Sequence, residues 1–456
     1  MWAPRLPAIA GWLRSALFRP VISQPLGWRQ VLGGAALVAV AAAVSLARTE
    51  GPGALNTIWI EDAAIFLQDA LHNSVMTTLT TPNNGYFNTV PRAVTAIAVL
   101  FPLAWVPGIM SACAASLNVI FGLIAYIASG PYLGNRWLRL LVAVPVCMVP
   151  LGYTQSNDDL ATVQFIALYG TFWLLLWRPA TRAGRLASPL IMLGIALSSI
   201  LPVVFAPLAA ARLIADRSKS TIAVVTCWAA GLLAEWSVQL RGMSNRQPGL
   251  FTNPLWALAN YVTRVVPRAI FGERALGGPG TNGEGHPIPL NVTNEVLQNA
   301  LIWGAWAVLA VVVIIALTGL TAPHWPFAVT ALLFSVAVFL GEIVDNLPIV
   351  QPRYVIAPAL LLYAAAAAML RPRGAADSAR PPRLAVAWSP VIVFALLLAV
   401  ACGFNFRVEN TRSQSPPWTA VVAAATRTCM KPGMGDYIYR HSWWQLKIPC
   451  SRVGPS

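Results

Sequence analysis

The sequence predicts an all-α, polytopic membrane protein with about eleven transmembrane helices, on three observations. Hydrophobic residues make up 57% of its 456 residues and charged ones only 10%, outside the range of soluble domains. Apolar runs recur at 30–47, 109–130, 138–153, 160–177, 220–241, 299–320, 325–344, 354–370 and 385–404. At ~1.5 Å rise per residue most of these cross a ~30 Å hydrocarbon core as helices. The runs are rich in Ala, Leu and Val without two-residue alternation, which disfavours a transmembrane barrel.

In chain order, Arg5, Arg14, Arg19 and Arg29 precede the first run, placing residues 1–29 in the cytoplasm by the positive-inside rule. That run is long for a signal peptide and no small-residue cleavage site follows before Arg48, so it reads as a retained anchor. Residues 91–106 carry Pro91 and Pro102 and read as a juxtamembrane helix on the outer side. The segment 187–214 reads as a hairpin of two short helices, broken near Ser198-Ser199-Ile200-Leu201-Pro202. With these two assignments the basic loops at Arg136/Arg139, Arg178/Arg182/Arg185, Arg212/Arg217/Lys219 and Arg371/Arg373/Arg380/Arg383 are all cytoplasmic. Making 91–106 a span and 187–214 one helix also gives eleven spans, but leaves two of these loops outside. The organisation is then a membrane domain over 30–404, with outer loops 48–108 and 242–298, and an extracytoplasmic tail over 405–456.

The net charge of +15 follows from scattered loop arginines rather than a basic stripe, which argues against a nucleic-acid partner. Cys113, Cys147 and Cys227 lie in apolar runs and read as buried hydrophobes. Cys429 and Cys450 flank an aqueous segment and are disulfide candidates if the tail is extracytoplasmic. No phosphate-binding loop, kinase set, serine nucleophile elbow or zinc-protease helix is present.

With only 16 acidic residues in the chain, the adjacent pair Glu61-Asp62 just beyond the first span stands out. A helix over 59–72 would align Asp62, Phe66 and Asp69 on one face. A carboxylate at the rim of a low-dielectric cavity can take a proton from an attacking hydroxyl; the alternative is a solvated surface helix. Asp158-Asp159, in the turn 153–159, would orient a sugar, bind a divalent cation or punctuate the turn. Arg353, in Gln351-Pro352-Arg353-Tyr354, would grip a phosphate or anchor the chain with Tyr354 at the interface. His286 lies in the Gly/Pro-rich stretch 277–287, a lid or a linker, and is a further substrate-side candidate; neither it nor His441 has a partner at metal-ligand spacing. Asn291-Val292-Thr293 matches a glycosylation triplet too short to carry weight. Tyr437, Tyr439, Trp443 and Trp444 make the tail aromatic, with rings that would stack on sugars or, the favoured reading, rest at the membrane interface.

The order of these features resembles the GT-C superfamily of membrane glycosyltransferases, which includes protein O-mannosyltransferases, lipid A aminoarabinose transferases and mycobacterial-type mannosyl- and arabinosyltransferases. The resemblance runs over roughly residues 30–370. An anchor leads to an outer loop with an acidic pair and an aromatic, here Glu61-Asp62 and Phe66; the Pro-containing stretch Asn84–Arg92 follows, then the outer acidic site Asp158-Asp159 and a short helical hairpin ending at Arg212. The resemblance implies an inverting enzyme of cell-envelope assembly in the plasma membrane, with its active site on the extracytoplasmic face. Its partners would be a polyprenyl-phosphate sugar donor, a glycan or glycolipid acceptor and membrane lipid. It implies Asp62 or Glu61 as the base, Asp158 or Asp159 as an orienting group and Arg353 as a phosphate ligand. Glu precedes Asp in this pair, against the usual order, which leaves open which acid is the base. Ser198-Ser199 stands where a Lys is common, which moves phosphate binding towards Arg353 or Arg92. The competing class is a transporter or flippase of lipid-linked saccharide, for which Glu235 would be the ionisable group within a span; no internal repeat supports it.

Overall fold

The computed structural model describes residues 5–20, 27–152, 158–241, 253–276, 295–345, 350–373, 384–407, 410, 412–441 and 444–453. Among the described residues seven helices are long and apolar enough to cross a membrane: Trp28–Leu46, Leu103–Ala128, Lys219–Leu240, Glu295–Leu317, Trp325–Val344, Pro352–Met369 and Val386–Phe404. The protein is a multi-pass, helical membrane protein. Eleven spans were expected; the other apolar runs form shorter pieces. The run 138–153 is divided into Arg136–Ala143 and Pro145–Met148, because Pro145 has no N–H to continue the ladder. The run 160–177 gives the helix Val163–Leu176, in which every residue except Gln164 is buried.

The centre of the bundle is the helix Ile356–Met369, buried along its whole length. It packs against Trp325–Asp345, Val163–Leu176 and Arg136–Ala143. Its five consecutive alanines, Ala364 to Ala368, let neighbouring backbones come close, which is how helices associate where no water drives them together. Trp28–Leu46 and Glu295–Leu317 are by contrast mostly exposed and present apolar side chains to lipid.

The segment 187–214 folds as the expected hairpin. The helix Arg182–Ala196 ends before a turn and the 3-10 segment Leu201–Phe205, from which Ala206–Ala215 returns. Its two ends are tied by Arg178 Nε to Asp216 Oδ2 at 3.1 Å. Gly231 lets the next helix close on the hairpin: a Cβ there would lie 2.5 Å from Ala196 Cβ.

The basic loops gather at one end of the bundle. There Arg14 Nε donates to Ala215 O (3.0 Å), Arg178 Nη1 to Phe18 O (2.8 Å), Arg212 Nη1 to Leu175 O (3.0 Å), and Tyr132 to Leu17 O. The loops that hold Glu61, Asp62, Asp158 and Asp159 lie away from that cluster and meet one another through Asp62 and the Leu160 N–H, with Thr89–Ala98 as a ten-residue amphipathic helix.

The tail adds a small β element. The helix Trp418–Cys429 precedes two antiparallel strands, Asp436–His441 and Trp444–Pro449, with Tyr439 opposite Leu446. Cys429 and Cys450 form a disulfide with Cα atoms 5.2 Å apart. Lys447 N donates to Gln68 Oε1 at 2.7 Å, docking the tail on the helix Gln68–His72. The expected interfacial role fails for Tyr439 and Trp444, which are buried. Strand alternation turns Trp444, Leu446 and Ile448 to one side, into the hydrophobic core that also takes Tyr439 and Trp418. Trp443, His286 and Asn291 to Thr293 lie outside the described residues.

Candidate active site

Residues 60–72 are helical, one residue short of the expected 59–72, but the turn Asp62–Leu67 is a π-helix, followed by Gln68–His72. Single π turns widen the helix and recur at functional sites. Asp62, Phe66 and Asp69 therefore do not act as one face. Asp62 turns inward, while Asp69 Oδ2 accepts from Arg92 Nη1 at 2.7 Å and the Arg92 guanidinium sits 5.6 Å from the centre of the Phe66 ring.

Asp62 is buried and serves as an anchor. Its Oδ2 accepts from Leu160 N (2.9 Å) and its Oδ1 from Ala161 N (3.0 Å). These N–H groups are turned towards it by the preceding pair. Asp158 adopts a left-handed backbone, φ +54°, which Asp tolerates better than most residues. Its Oδ1 accepts from Ser45 Oγ (2.7 Å), and Asp159 Oδ1 accepts from Thr162 N (3.0 Å), starting the helix Val163–Leu176. Burial pushes the Asp62 carboxyl up to about 7, against the opposing pull of the Leu160 N–H and Arg412. Burial and then the Asp62 charge hold Asp159 well above the usual carboxylate range, and burial raises Asp158 to about 6. Among the described residues no group of three His, Cys, Asp or Glu side chains is arranged to hold a metal ion.

Beneath these three carboxyls lies Arg412, which the sequence reading missed. Its guanidinium donates to Thr57 Oγ1 (3.0 Å), Thr57 O (2.9 Å), Ala54 O (2.6 Å), Asp158 O (3.0 Å) and Ser111 Oγ. It comes from the tail, far in sequence from every partner, and nothing local marks it.

Glu61 faces the other way. It lines a polar cavity of about 270 Å³ with Arg353 and Tyr354. Arg353 Nη1 donates to Glu61 Oε1 at 3.1 Å, and its guanidinium lies 5.3 Å from the centre of the Phe165 ring. Amides supply much of the remaining wall: Asn83, Asn84 and Asn88 from one turn, with Gln164 and Gln351. An apolar chamber of about 310 Å³ shares Gln164 with this cavity and is lined by Pro91, Leu117, Ile120, Phe121 and Ile191 among others.

The structure thus brings Glu61, Arg353 and Tyr354 together and separates the other candidates from them. Asp158 and Asp159 do not line the cavity; Asp158 Oδ1 takes the Ser45 hydroxyl and Asp159 Oδ1 the Thr162 N–H. The expected sugar-orienting contact is replaced by support of the Asp62 seat. Arg92 is fully buried and held by Asp69 and Thr78 O, so it does not reach the cavity as a phosphate ligand. The amide wall carried a sequence signal that the reading did not use: Asn84-Gly85 is a strong tight-turn dipeptide.

No family model matches the chain, and no curated protein matches it. Among solved structures, that of the arabinofuranosyltransferase AftD from Mycobacteria aligns with 95% of this chain and 33% of that chain, at 15% identity and a TM-score of 0.45. The chain spans about a third of the length of that protein.

Proposed function

We propose that the protein is a GT-C-type membrane glycosyltransferase that moves a sugar from a polyprenyl-phosphate donor to an extracytoplasmic glycan or lipid acceptor in cell-envelope assembly. The observation that carries this reading is the pairing of two cavities across Gln164, one polar with Glu61 and Arg353, the other apolar. An amphiphilic donor matches both: its prenyl chain in the apolar chamber, its phosphate on Arg353 and its sugar among the amides.

Glu61 is the general base in this reading. It faces the cavity, whereas Asp62 would have to give up two backbone N–H bonds to act. When a donor phosphate takes the Arg353 fork, the Glu61 carboxylate is released from its ion pair. It then removes the proton from the acceptor hydroxyl, whose oxygen bonds to the anomeric carbon. The bond from that carbon to the phosphate oxygen breaks, the electron pair leaves on the phosphate, and Arg353 stabilises it. Attack opposite the leaving group inverts the anomeric centre. Glu235, the group a transporter would use within a span, is buried near the outer end of its helix and accepts from Phe87 N at 3.1 Å, which ties a loop rather than lining a path.

The test uses the purified protein in vesicles with labelled long-chain and short-chain polyprenyl-phosphate sugars and a nucleotide sugar. Transfer from the lipid-linked donors is expected. Ile191→Trp, which fills the apolar chamber, should raise KM about tenfold for the long-chain donor only. Turnover of the nucleotide sugar in preference, or an equal response of both chain lengths, would contradict the reading.

A further inference from the structure

The segment Asn83–Asn88 is built more rigidly than a loop that merely connects two helices. Asn83 and Tyr86 exchange both backbone hydrogen bonds, at 2.8 and 3.0 Å. The two residues between them, Asn84 and Gly85, have φ of +51° and +84°, the signature of a type I′ turn. Asn88 also has positive φ, +52°, and its Nδ2 donates back to Tyr86 O at 3.3 Å.

Two elements hold the turn from outside, the helix Lys219–Leu240 and the break in the hairpin. Phe87 N donates to both oxygens of Glu235, at 3.1 and 3.3 Å, and Gln239 Nε2 donates to Gly85 O at 3.1 Å. Val90 N donates to Ser198 Oγ at 3.0 Å, from the break in the helical hairpin. A fully buried carboxylate in a membrane helix is costly to keep, and here it fixes the loop that carries Asn83, Asn84 and Asn88 to the cavity wall.

We infer that the Asn83–Asn88 turn is the sugar-reading element of the site, that it selects an uncharged glycosyl group, and that Glu235 and Gln239 are positioning residues that hold it in register. This rests on the donor site proposed above. Side-chain amides each donate and accept, which suits the hydroxyls of a neutral sugar. Among the described residues lining the cavity only Glu61 and Arg353 carry charge. Once Arg353 holds the phosphate and Glu61 serves as base, no cation remains among the described lining residues for a uronic acid carboxylate and no anion for an amino sugar. A site that satisfies polar groups rejects analogues that leave them unpaired.

Equilibrium binding to the purified protein tests this separately from transfer. The ligands are bare polyprenyl phosphate and the same lipid phosphate bearing a neutral, an amino or an acidic sugar. The neutral sugar is expected to tighten binding about tenfold over the bare lipid phosphate, as one or two added hydrogen bonds would, and the charged sugars to weaken it. Asn84→Ala and Asn83→Ala should remove that gain and leave the affinity for bare lipid phosphate unchanged. Glu235→Gln should reduce the gain, and Gln239→Ala, which keeps the carboxylate, should do so if Glu235→Gln does not fold. If the gain survives both asparagine substitutions, or if a charged sugar binds best, the inference is wrong. Sugar discrimination lost with Asn84 in a protein that performs no transfer would support the inference and contradict the transferase reading.

Discussion

Arg353 Nη1 and Glu61 Oε1 meet at 3.1 Å across 292 residues of sequence, on the wall of one cavity and both partly exposed to it. The pair joins the loop after the first apolar helix to the start of the central helix. An ion pair facing a cavity can be exchanged for a ligand's charge. Arg353→Lys keeps the charge and loses the fork, and should weaken binding of polyprenyl phosphate about tenfold in vesicles. Arg353→Ala should weaken it further. Equal affinities in all three proteins would remove Arg353 from phosphate binding.

Asp62 gives a pH signature distinct from catalysis. Its carboxyl is raised from the ordinary range to about 7 by burial, so the folded chain binds its proton more tightly than the unfolded chain does. Stability from this group is then fully present below about pH 4 and is lost as pH rises through about 7. Asp158, raised to about 6, adds to the same trend. The thermal unfolding temperature in detergent should therefore fall between pH 4 and 7 in the parent and fall less in Asp62→Asn. A rise over that window would contradict the account.

Arg412 predicts a purely structural effect. Its removal leaves Ala54 O, Thr57 O and Asp158 O without their donor and takes a neighbouring cation from three buried carboxyls, Asp62, Asp158 and Asp159. Arg412→Met should cost about 3–5 kcal/mol, seen as loss of folded protein. Arg412→Lys, with fewer donors in a different geometry, should cost about 2 kcal/mol. Thermal unfolding of the lysine variant at the parental temperature would show that the cluster does not depend on it.

How much of this was legible follows from which forces act locally. Spans, the hairpin broken near Ser198 and the gathering of basic loops could be read because hydropathy, proline and loop arginines act over short stretches. The acidic pair could be read because charge is rare here. The opposite facing of Glu61 and Asp62 could not, since it depends on a π turn and on N–H groups supplied by Leu160 and Ala161. Arg412 was invisible for the same reason: its partners, Ala54, Thr57, Ser111 and Asp158, are brought together only by the fold. Asp158 and Asp159 were open between substrate ligands and turn residues because buried and cavity-facing acids read alike in sequence. Asn84-Gly85 was legible as a turn, but that the turn forms a wall of the cavity needed Glu235 and Ser198 in place.

The central claim is that Glu61 is the base of a transfer from a lipid-phosphate donor. It is tested most directly by comparing Glu61→Gln with the parent for sugar transfer and for binding of the same labelled polyprenyl-phosphate sugar. The account predicts that Glu61→Gln binds the donor at least as tightly, because Arg353 is freed, while transfer falls at least about 100-fold. Transfer by Glu61→Gln at the parental rate would contradict it.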